Sequence, residues 1–322
     1  ESSKGFMKDL CADNEISTAL YKRFSEADEA IAFLDGFGKD VVIKADGLAS
    51  GKGVIIPPSL EAAKDAVREI LSGNAFGDAG SEIVIEEFLH GYEISFFALS
   101  DGQSVIPFGS AEDYKRAYDE DKGPNTGGMG AISPSPKCSP ELQDKIMSDI
   151  IEPTLKGLKD KDIDFKGVLY AGLMIVEGEP KLLEYNVRFG DPECQGLMMR
   201  LESDLVDVFE ALTTQNLKDI ENDIKWRDEI SMSVVVAAEG YPENPQKGLV
   251  IGDLHEIPKS GDFEIFHAGT KRNKTGDIVT TGGRVLNFTA RAADIMTVRE
   301  IVYGHLDDLD WQGGFYRHDI GH

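Results

Sequence analysis

Leu182-Leu183-Glu184-Tyr185-Asn186-Val187-Arg188-Phe189-Gly190-Asp191-Pro192-Glu193 is the stretch from which the rest of this 322-residue chain can be read. Its first part reads as a β-strand, and a strand sends side chains two apart to one face, so Glu184, Asn186 and Arg188 are expected to share a space. A carboxylate and an amide oxygen about 7 Å apart suit a hard divalent cation, and a guanidinium beside them suits a phosphate or carboxylate oxygen. The pattern points to a metal–nucleotide complex. A surface strand with alternating polar residues is the competing reading.

Composition sets the bounds. With 41% hydrophobic and 8% aromatic residues the chain can bury a sizeable core and divide into two or three domains. A formal net charge of -25 argues against a nucleic-acid or anionic-membrane binder, because Lys and Arg are too few to neutralise a phosphate array. Any phosphate site must therefore be local. Cys11, Cys138 and Cys194 form no CxxC pair, the six histidines lack metal-ligand spacing, and no apolar run approaches the ~20 residues that span a bilayer. A reducing cytosol is the expected setting, with a monomer or weak oligomer.

Working outward from the strand, the pattern alternates between helical and extended periods. An amphipathic helix with Phe6, Met7, Leu10 and Cys11 on its apolar face opens the chain, and Ser25 with Asp28 reads as a capping box for a second. Val41–Ile43 and Val54–Ile56 flank a glycine-rich stretch as a hairpin, and Ser59 caps a helix that stops near Gly73. Ile83–Ile85 and Ile94–Leu99 are expected to complete a small α+β lobe. A helix over 141–158 and paired strands 168–176 and 181–187 belong to a larger region. After Trp226 come short strands, with Gly282-Gly283 read as a two-residue hairpin turn, and a last helix carrying Ile295, Val298, Ile301, Val302 and Leu306. The expected organisation is a helical lead-in (1–37), a small lobe (38–100), a large lobe (101–225) and a β-rich C-terminal domain (226–322), an α+β fold.

Three further stretches carry chemistry. Lys44 to Gly53 (KADGLASGKG) is one residue short of a P-loop spacing and leads into a strand, so a flap whose backbone and lysines close over phosphates is the expected device. Glu86 to Glu93 (EEFLHGYE) is an acidic linker able to read an adenine at one end and a ribose at the other. Lys115-Arg116 with Gly123-Pro124-Asn125-Thr126-Gly127-Gly128-Met129-Gly130 joins two cations to a loop whose amides can approach an anion, a substrate phosphate or a reacting carboxylate.

In this order and at these separations, the four elements resemble the ATP-grasp superfamily. More closely, VVIKADGLASGKGV, EEFLHGYEIS, GPNTGGMGA, LLEYNVRFGDPE and the late HAGT with TTGGRVL are similar to the phosphoribosylamine–glycine ligase (glycinamide ribonucleotide synthetase) family, from about Ser3 to His322. The resemblance implies an ATP-grasp fold of two α+β lobes with a small C-terminal β-rich domain. It implies a ligase in which ATP phosphorylates glycine and 5-phosphoribosylamine displaces the phosphate, giving glycinamide ribonucleotide in purine biosynthesis. By the same likeness Lys44 contacts ATP phosphates and Ser50, Gly51, Lys52 and Gly53 close over them. Backbone at Glu86, Glu87, Phe88 and Leu89 holds adenine, Glu93 the ribose, and Glu184 with Asn186 a Mg2+ or Mn2+ ion. Arg188 stabilises the transferring phosphoryl group with Lys115 as a second cation; Asp191, Glu193 and the Asn125, Thr126, Gly127, Gly128 loop face the substrates.

Two departures qualify the likeness. The family's doubly wound N-terminal domain has no counterpart here, which leaves an ATP-binding module without turnover as an alternative. Tyr114 stands where a histidine is expected, and is given no catalytic role. A ligase acting on another acid is the remaining alternative, against which GGMGA and RFGDPE count.

Overall fold

The computed structural model describes residues 3–47, 53–73, 80–252, 254, 257 and 260–322. Two units interleave along the sequence, Glu1–Glu93 with Pro140–Val187, and Ile94–Ser139 with Arg188–His322. In chain order come α1 (Lys4–Asp13), β1 (Tyr21–Phe24), α2 (Ala27–Phe37), β2 (Val41–Ala45), β3 (Val54–Ile55), α3 (Leu60–Leu71) and β4 (Ile83–Glu87). Next are β5 (Tyr92–Asp101), β6 (Val105–Asp113), β7 (Arg116–Tyr118), β8 (Lys122–Asn125) and β9 (Gly130–Ser133). Then follow α4 (Pro140–Ile146), a π-helical turn (Met147–Ile151), α5 (Glu152–Asp160), β10 (Lys166–Val176) and β11 (Glu179–Asn186). The rest forms α6 (Glu193–Arg200), α7 (Leu205–Thr213), α8 (Leu217–Ile220), β12 (Ile230–Ala238), β13 (Phe263–His267), β14 (Thr270–Arg272), β15 (Ile278–Thr280), β16 (Arg284–Ala292), α9 (Ile295–Asp307) and β17 (Gly314–Phe315).

In the first unit an antiparallel sheet of order β1-β4-β2-β3 carries α2 and α3 on a core of Ile43, Ala45, Ile83 and Ile85 with Val67, Ile70 and Leu34. Ser59 caps α3 by accepting the Ala62 N–H at 3.2 Å, and Gly73 turns the chain at φ 75°. The capping box expected at Ser25 is absent: α2 starts at Ala27, and its N-cap Glu26 makes no side-chain bond. The reason is β1, a short polar edge strand that holds the chain extended to Phe24 and leaves no periodic signal in sequence. Ile94–Leu99 does not join this sheet either; it lies in β5, which pairs with β6 in the second unit. The hairpin of β10 and β11 turns through Glu177 and Gly178, both at positive φ, and α1 packs on β11 and α5.

The second unit strings β5-β6-β9-β12-β16-β13 into an antiparallel series, with β17 on β12. The alternating face of β12 and β16 (Met232, Val234, Val236, Leu286, Phe288, Ala290) packs against Val298, Val302 and Leu306 of α9. Gly282-Gly283 is not a hairpin turn, because β15 pairs with β14 and β16 with β12 and β13. These glycines instead let chain segments touch: Thr281 N–H donates to Gly269 O at 2.7 Å, and Gly269 N–H to Arg284 O at 2.9 Å.

The C-terminal tail is tied down by Arg317, 1% exposed, which donates to Asp319 and Asp121 and lies 5.2 Å over the Tyr114 ring. Tyr114 Oη accepts the Gly321 N–H at 3.2 Å, which gives this tyrosine a structural role. Burial pushes the Asp319 carboxyl up, but Arg317 and the Glu120 N–H more than offset it and hold it down at about 2 against an ordinary 3.8. The depressed value means this clamp contributes stability above pH ~4 that is lost as pH falls through about 2. Asp319→Asn is therefore expected to lower the Tm by about 2–4 °C at pH 7 and by progressively less as the pH approaches 2. Thermal unfolding of both proteins across that range checks it, and equal Tm values at pH 7 would contradict it.

Candidate active site

Lys44 projects from β2, where its neighbours across the sheet are Val54 of β3 and Val84 of β4. It is 7% exposed, and its Nζ lies 3.0 Å from Glu86 Oε1 while donating to the Leu183 carbonyl at 3.2 Å. Glu86, 1% exposed on β4, has its other oxygen 3.2 Å from Lys8 Nζ of α1. The hairpin is closed at its base by Ala45 N–H on Gly53 O at 2.8 Å; Ser50, Gly51 and Lys52 lie outside the described residues. Leu183, which holds Lys44 by its carbonyl, precedes Glu184 on β11.

Glu184 faces Gly172 of β10, and Asn186 faces Tyr170, so the two remain on one face of β11. A bulge at Gly172/Leu173 shifts the register, which buries both Leu182 and Tyr185 and leaves Glu184 exposed. A Cβ at Gly172 would lie 3.3 Å from Glu184 Cγ, so the glycine leaves room for the carboxylate to move. The shared face stops at Asn186. Arg188 lies beyond the strand end, belongs to the second unit, and donates to the Phe189 carbonyl at 2.9 Å, because the chain bends after Asn186 toward Gly190.

The linker after Glu86 is partly committed to structure. Glu87 and Phe88 N–H groups donate to Leu20 and Asp40 carbonyls, at 2.9 and 2.8 Å. Burial raises the Glu87 carboxyl, yet its pairing with Lys39 and the Leu20 N–H brings it below the usual range. Leu89 is buried at the turn, and Glu93 is exposed at the start of β5.

In the second unit the glycine-rich loop joins β8 to β9. Its amides are spoken for: Thr126 N–H donates to Lys115 O (2.8 Å), Gly127 N–H to Tyr241 Oη (3.0 Å), Gly128 N–H to Thr126 Oγ1 (3.0 Å) and Met129 N–H to Tyr114 O (2.7 Å). The amide cradle expected from the sequence is thus filled by the protein's own acceptors. Arg284 of β16 completes the arrangement, donating to the Gly127 carbonyl at 2.7 Å and to the Asp191 carbonyl, with its Nη2 3.0 Å from Asp191 Oδ2. Lys115 Nζ stands 3.4 Å from Asp113 Oδ2, and Asn125 pairs with Arg116 across β7 and β8. Glu193 is 3% exposed and accepts the Ser95 hydroxyl at 3.0 Å, so it braces the turn rather than facing solvent.

Sequence reasoning missed Lys8, Lys4, Arg284 and Tyr241. Lys8 had a readable signal, since it falls between Met7 and Cys11 on the apolar face of α1, where an unpaired cation would be costly; Phe6, assigned to that face, is instead 42% exposed. Lys4 donates to Gly47 O at 3.2 Å, and burial lowers its ammonium while Glu184 acts against that shift. Arg284 and Tyr241 carry no local signal, because their partners are more than ninety residues away in sequence.

The residues present fit a divalent cation bound together with a nucleotide. Among the described residues no group of three or more His, Cys, Asp or Glu side chains could hold a metal alone. Glu184 and Asn186 supply two oxygens, which suits an ion that completes its shell with phosphate oxygens and water.

The fold and this arrangement define the ATP-grasp class. A sequence profile for the phosphoribosylglycinamide synthetase ATP-grasp (A) domain matches residues 2–194, and one for the C domain of the same synthetase matches residues 231–322. The chain belongs to the phosphoribosylglycinamide synthetase family. It is 50% identical over 321 residues to the phosphoribosylamine–glycine ligase of Brucella melitensis, covering 100% of this chain and 74% of that protein. It is 51% identical to the chloroplastic phosphoribosylamine–glycine ligase of Arabidopsis thaliana, covering 100% of this chain and 60% of that one. The crystal structure of the Thermotoga maritima phosphoribosylamine–glycine ligase superposes with a TM-score of 0.87 at 33% identity, covering 99% and 78% of the two chains. The biotin carboxylase domain of Hydrogenobacter thermophilus 2-oxoglutarate carboxylase shares the fold, with a TM-score of 0.76 at 19% identity and coverage of 98% and 67%.

Gly128 offers a local test of the loop. It sits at φ 111°, and a Cβ there would lie 2.5 Å from Pro192 Cδ and 2.7 Å from Asp113 Oδ1. Gly128→Ala is expected to destabilise the protein by about 1–3 kcal/mol, read as a lower urea midpoint. An unchanged midpoint would refute this packing.

Proposed function

We propose that this chain joins glycine to 5-phosphoribosylamine at the expense of ATP, through glycyl phosphate, giving glycinamide ribonucleotide, ADP and phosphate in purine biosynthesis. The observation that carries the reading is the Lys44 ammonium bonded to the carbonyl of Leu183, one residue before Glu184. A phosphate-seeking cation on β2 is thereby held against β11, the strand that carries the metal-seeking carboxylate. Family membership supplies the substrates, and ATP use is common to ATP-grasp enzymes.

In this reading Lys44 neutralises ATP phosphates, and the Ser50 to Gly53 segment covers them. Backbone from Glu86 to Leu89 takes the adenine and Glu93 the ribose. Glu184 and Asn186 would hold a Mg2+ or Mn2+ ion, which screens phosphate charge when bound. The glycine carboxylate oxygen attacks the γ-phosphorus, the bond to ADP breaks, and Arg188 with Lys115 balances charge on the transferring group. The amine of phosphoribosylamine then attacks the acyl carbon, its proton is lost, and phosphate leaves. Asn125 to Gly128 and Asp191 are assigned to the substrates, with Arg284 setting the position of both segments. Glu193, buried on Ser95, holds the turn that carries Asp191. The net charge of -25 favours small-molecule partners over nucleic acid, and no helix among the described residues is long and apolar enough to cross a membrane. A cytosolic location is part of the proposal.

The activity is tested by ADP release with ATP, magnesium and glycine, with and without freshly generated phosphoribosylamine. Release that needs both substrates and yields glycinamide ribonucleotide is expected; ATP binding without release would contradict the reading. Lys44→Ala is expected to weaken ATP binding by about 1.5–3 kcal/mol in calorimetry, the scale of charge-assisted hydrogen bonds, and equal affinity would remove its role. Glu184→Gln keeps the shape of the side chain but loses its charge, so metal-dependent turnover should be abolished with the circular dichroism spectrum intact. Full activity in that variant would sink the metal assignment.

A further inference from the structure

Lys8 is the most deeply buried ammonium among the described residues, 0% exposed, yet no step of the proposed ligation uses it. Its Nζ donates to Thr18 Oγ1 at 2.7 Å and stands 3.2 Å from Glu86 Oε2; the Thr18 hydroxyl in turn donates to the Leu182 carbonyl at 2.6 Å. The Tyr21 ring covers it, with Nζ 5.1 Å from the centroid. Glu86 is therefore a buried carboxylate shared by two ammonium groups, Lys8 on one oxygen and Lys44 on the other.

Charge counting gives this sharing a meaning. Two ammonium groups on one carboxylate leave one net positive charge, whereas Lys44 alone on Glu86 would leave none. A buried pair of zero net charge attracts an anion weakly, and its ammonium is held by its own carboxylate. Lys8 has no route to solvent, so the surplus charge is expressed at the more open partner, Lys44, 7% exposed.

We propose that Lys8 is a positioning residue that frees Lys44 for nucleotide phosphates by taking half of Glu86, an inference that rests on the proposed ATP site. It never touches the nucleotide. Its anchors suit this role, since Thr18 and Leu182 tie α1 to β11, the strand whose Leu183 carbonyl holds Lys44. Burial lowers the Lys8 ammonium to about 8, so near neutral pH it still carries the charge the device requires.

Comparing ATP with adenosine, which has no phosphate, separates phosphate attraction from general damage. ATP·Mg binding is followed by calorimetry, adenosine binding by saturation-transfer NMR, and folding by thermal melts, on wild type and Lys8→Met. The expected result is about tenfold weaker ATP binding with adenosine affinity unchanged. Equal ATP affinity in the variant, or equal losses for ATP and adenosine, would overturn the proposal. Lys8→Arg keeps the charge and should recover most of the ATP affinity; failure to do so in a folded variant also counts against it. If Lys8→Met does not fold, Thr18→Val, which removes the Lys8 anchor, carries the test: several-fold weaker ATP binding with adenosine unchanged supports the idea, and unchanged ATP binding refutes it. Wild type that binds ATP no more tightly than adenosine would instead refute the phosphate site itself.

Discussion

An ammonium group taken out of water stays charged only if acceptors replace the water it loses, and the first unit is organised around meeting that demand for Lys44 and Lys8. Glu86 places one oxygen within ion-pair distance of each, the Leu183 carbonyl accepts a hydrogen bond from Lys44, and the Thr18 hydroxyl accepts one from Lys8. These partners come from β4, β11 and the segment before β1, so satisfying two charges fixes α1, the small sheet and β11 against one another. The hydrophobic core of α2 and α3 on the sheet gives the unit its stability. The charge network decides where its chemistry sits.

The second unit solves a different problem with one residue. Arg284 bonds the carbonyls of Gly127 and Asp191 and the Asp191 carboxylate, so the glycine-rich loop and the Asp191 turn are held by a side chain from the C-terminal part of the sequence. A glycine at 128 is needed for packing, since Pro192 and Asp113 occupy the space a Cβ would take. The amides of Gly127 and Gly128 are turned inward, onto the Tyr241 and Thr126 hydroxyls.

Legibility in the sequence followed the range of the interaction. Glu184 and Asn186 could be placed on one strand face because period two is a local property, and the caps of α3 were readable for the same reason. Arg188 continues the alternation but lies past the strand end at Asn186, because alternation alone does not say where a strand ends. Gly282-Gly283 carries the signature of a hairpin turn, but pairing across the sheet assigned β15 and β16 to other partners. The β9–β12 ladder, which brings Ser231 opposite Ser133, has no local trace, and neither does Arg284 reaching Asp191. Lys8 was legible in principle, as a cation on an apolar face, and its partner Glu86 was not.

Activation of glycine as an acyl phosphate is tested most directly by oxygen tracing. With glycine labelled by 18O in its carboxylate, ATP and phosphoribosylamine, each phosphate released is expected to carry one labelled oxygen from glycine, because that oxygen bridges carbon and phosphorus before the amine displaces it. Phosphate free of label, formed alongside glycinamide ribonucleotide, would rule out an acyl phosphate.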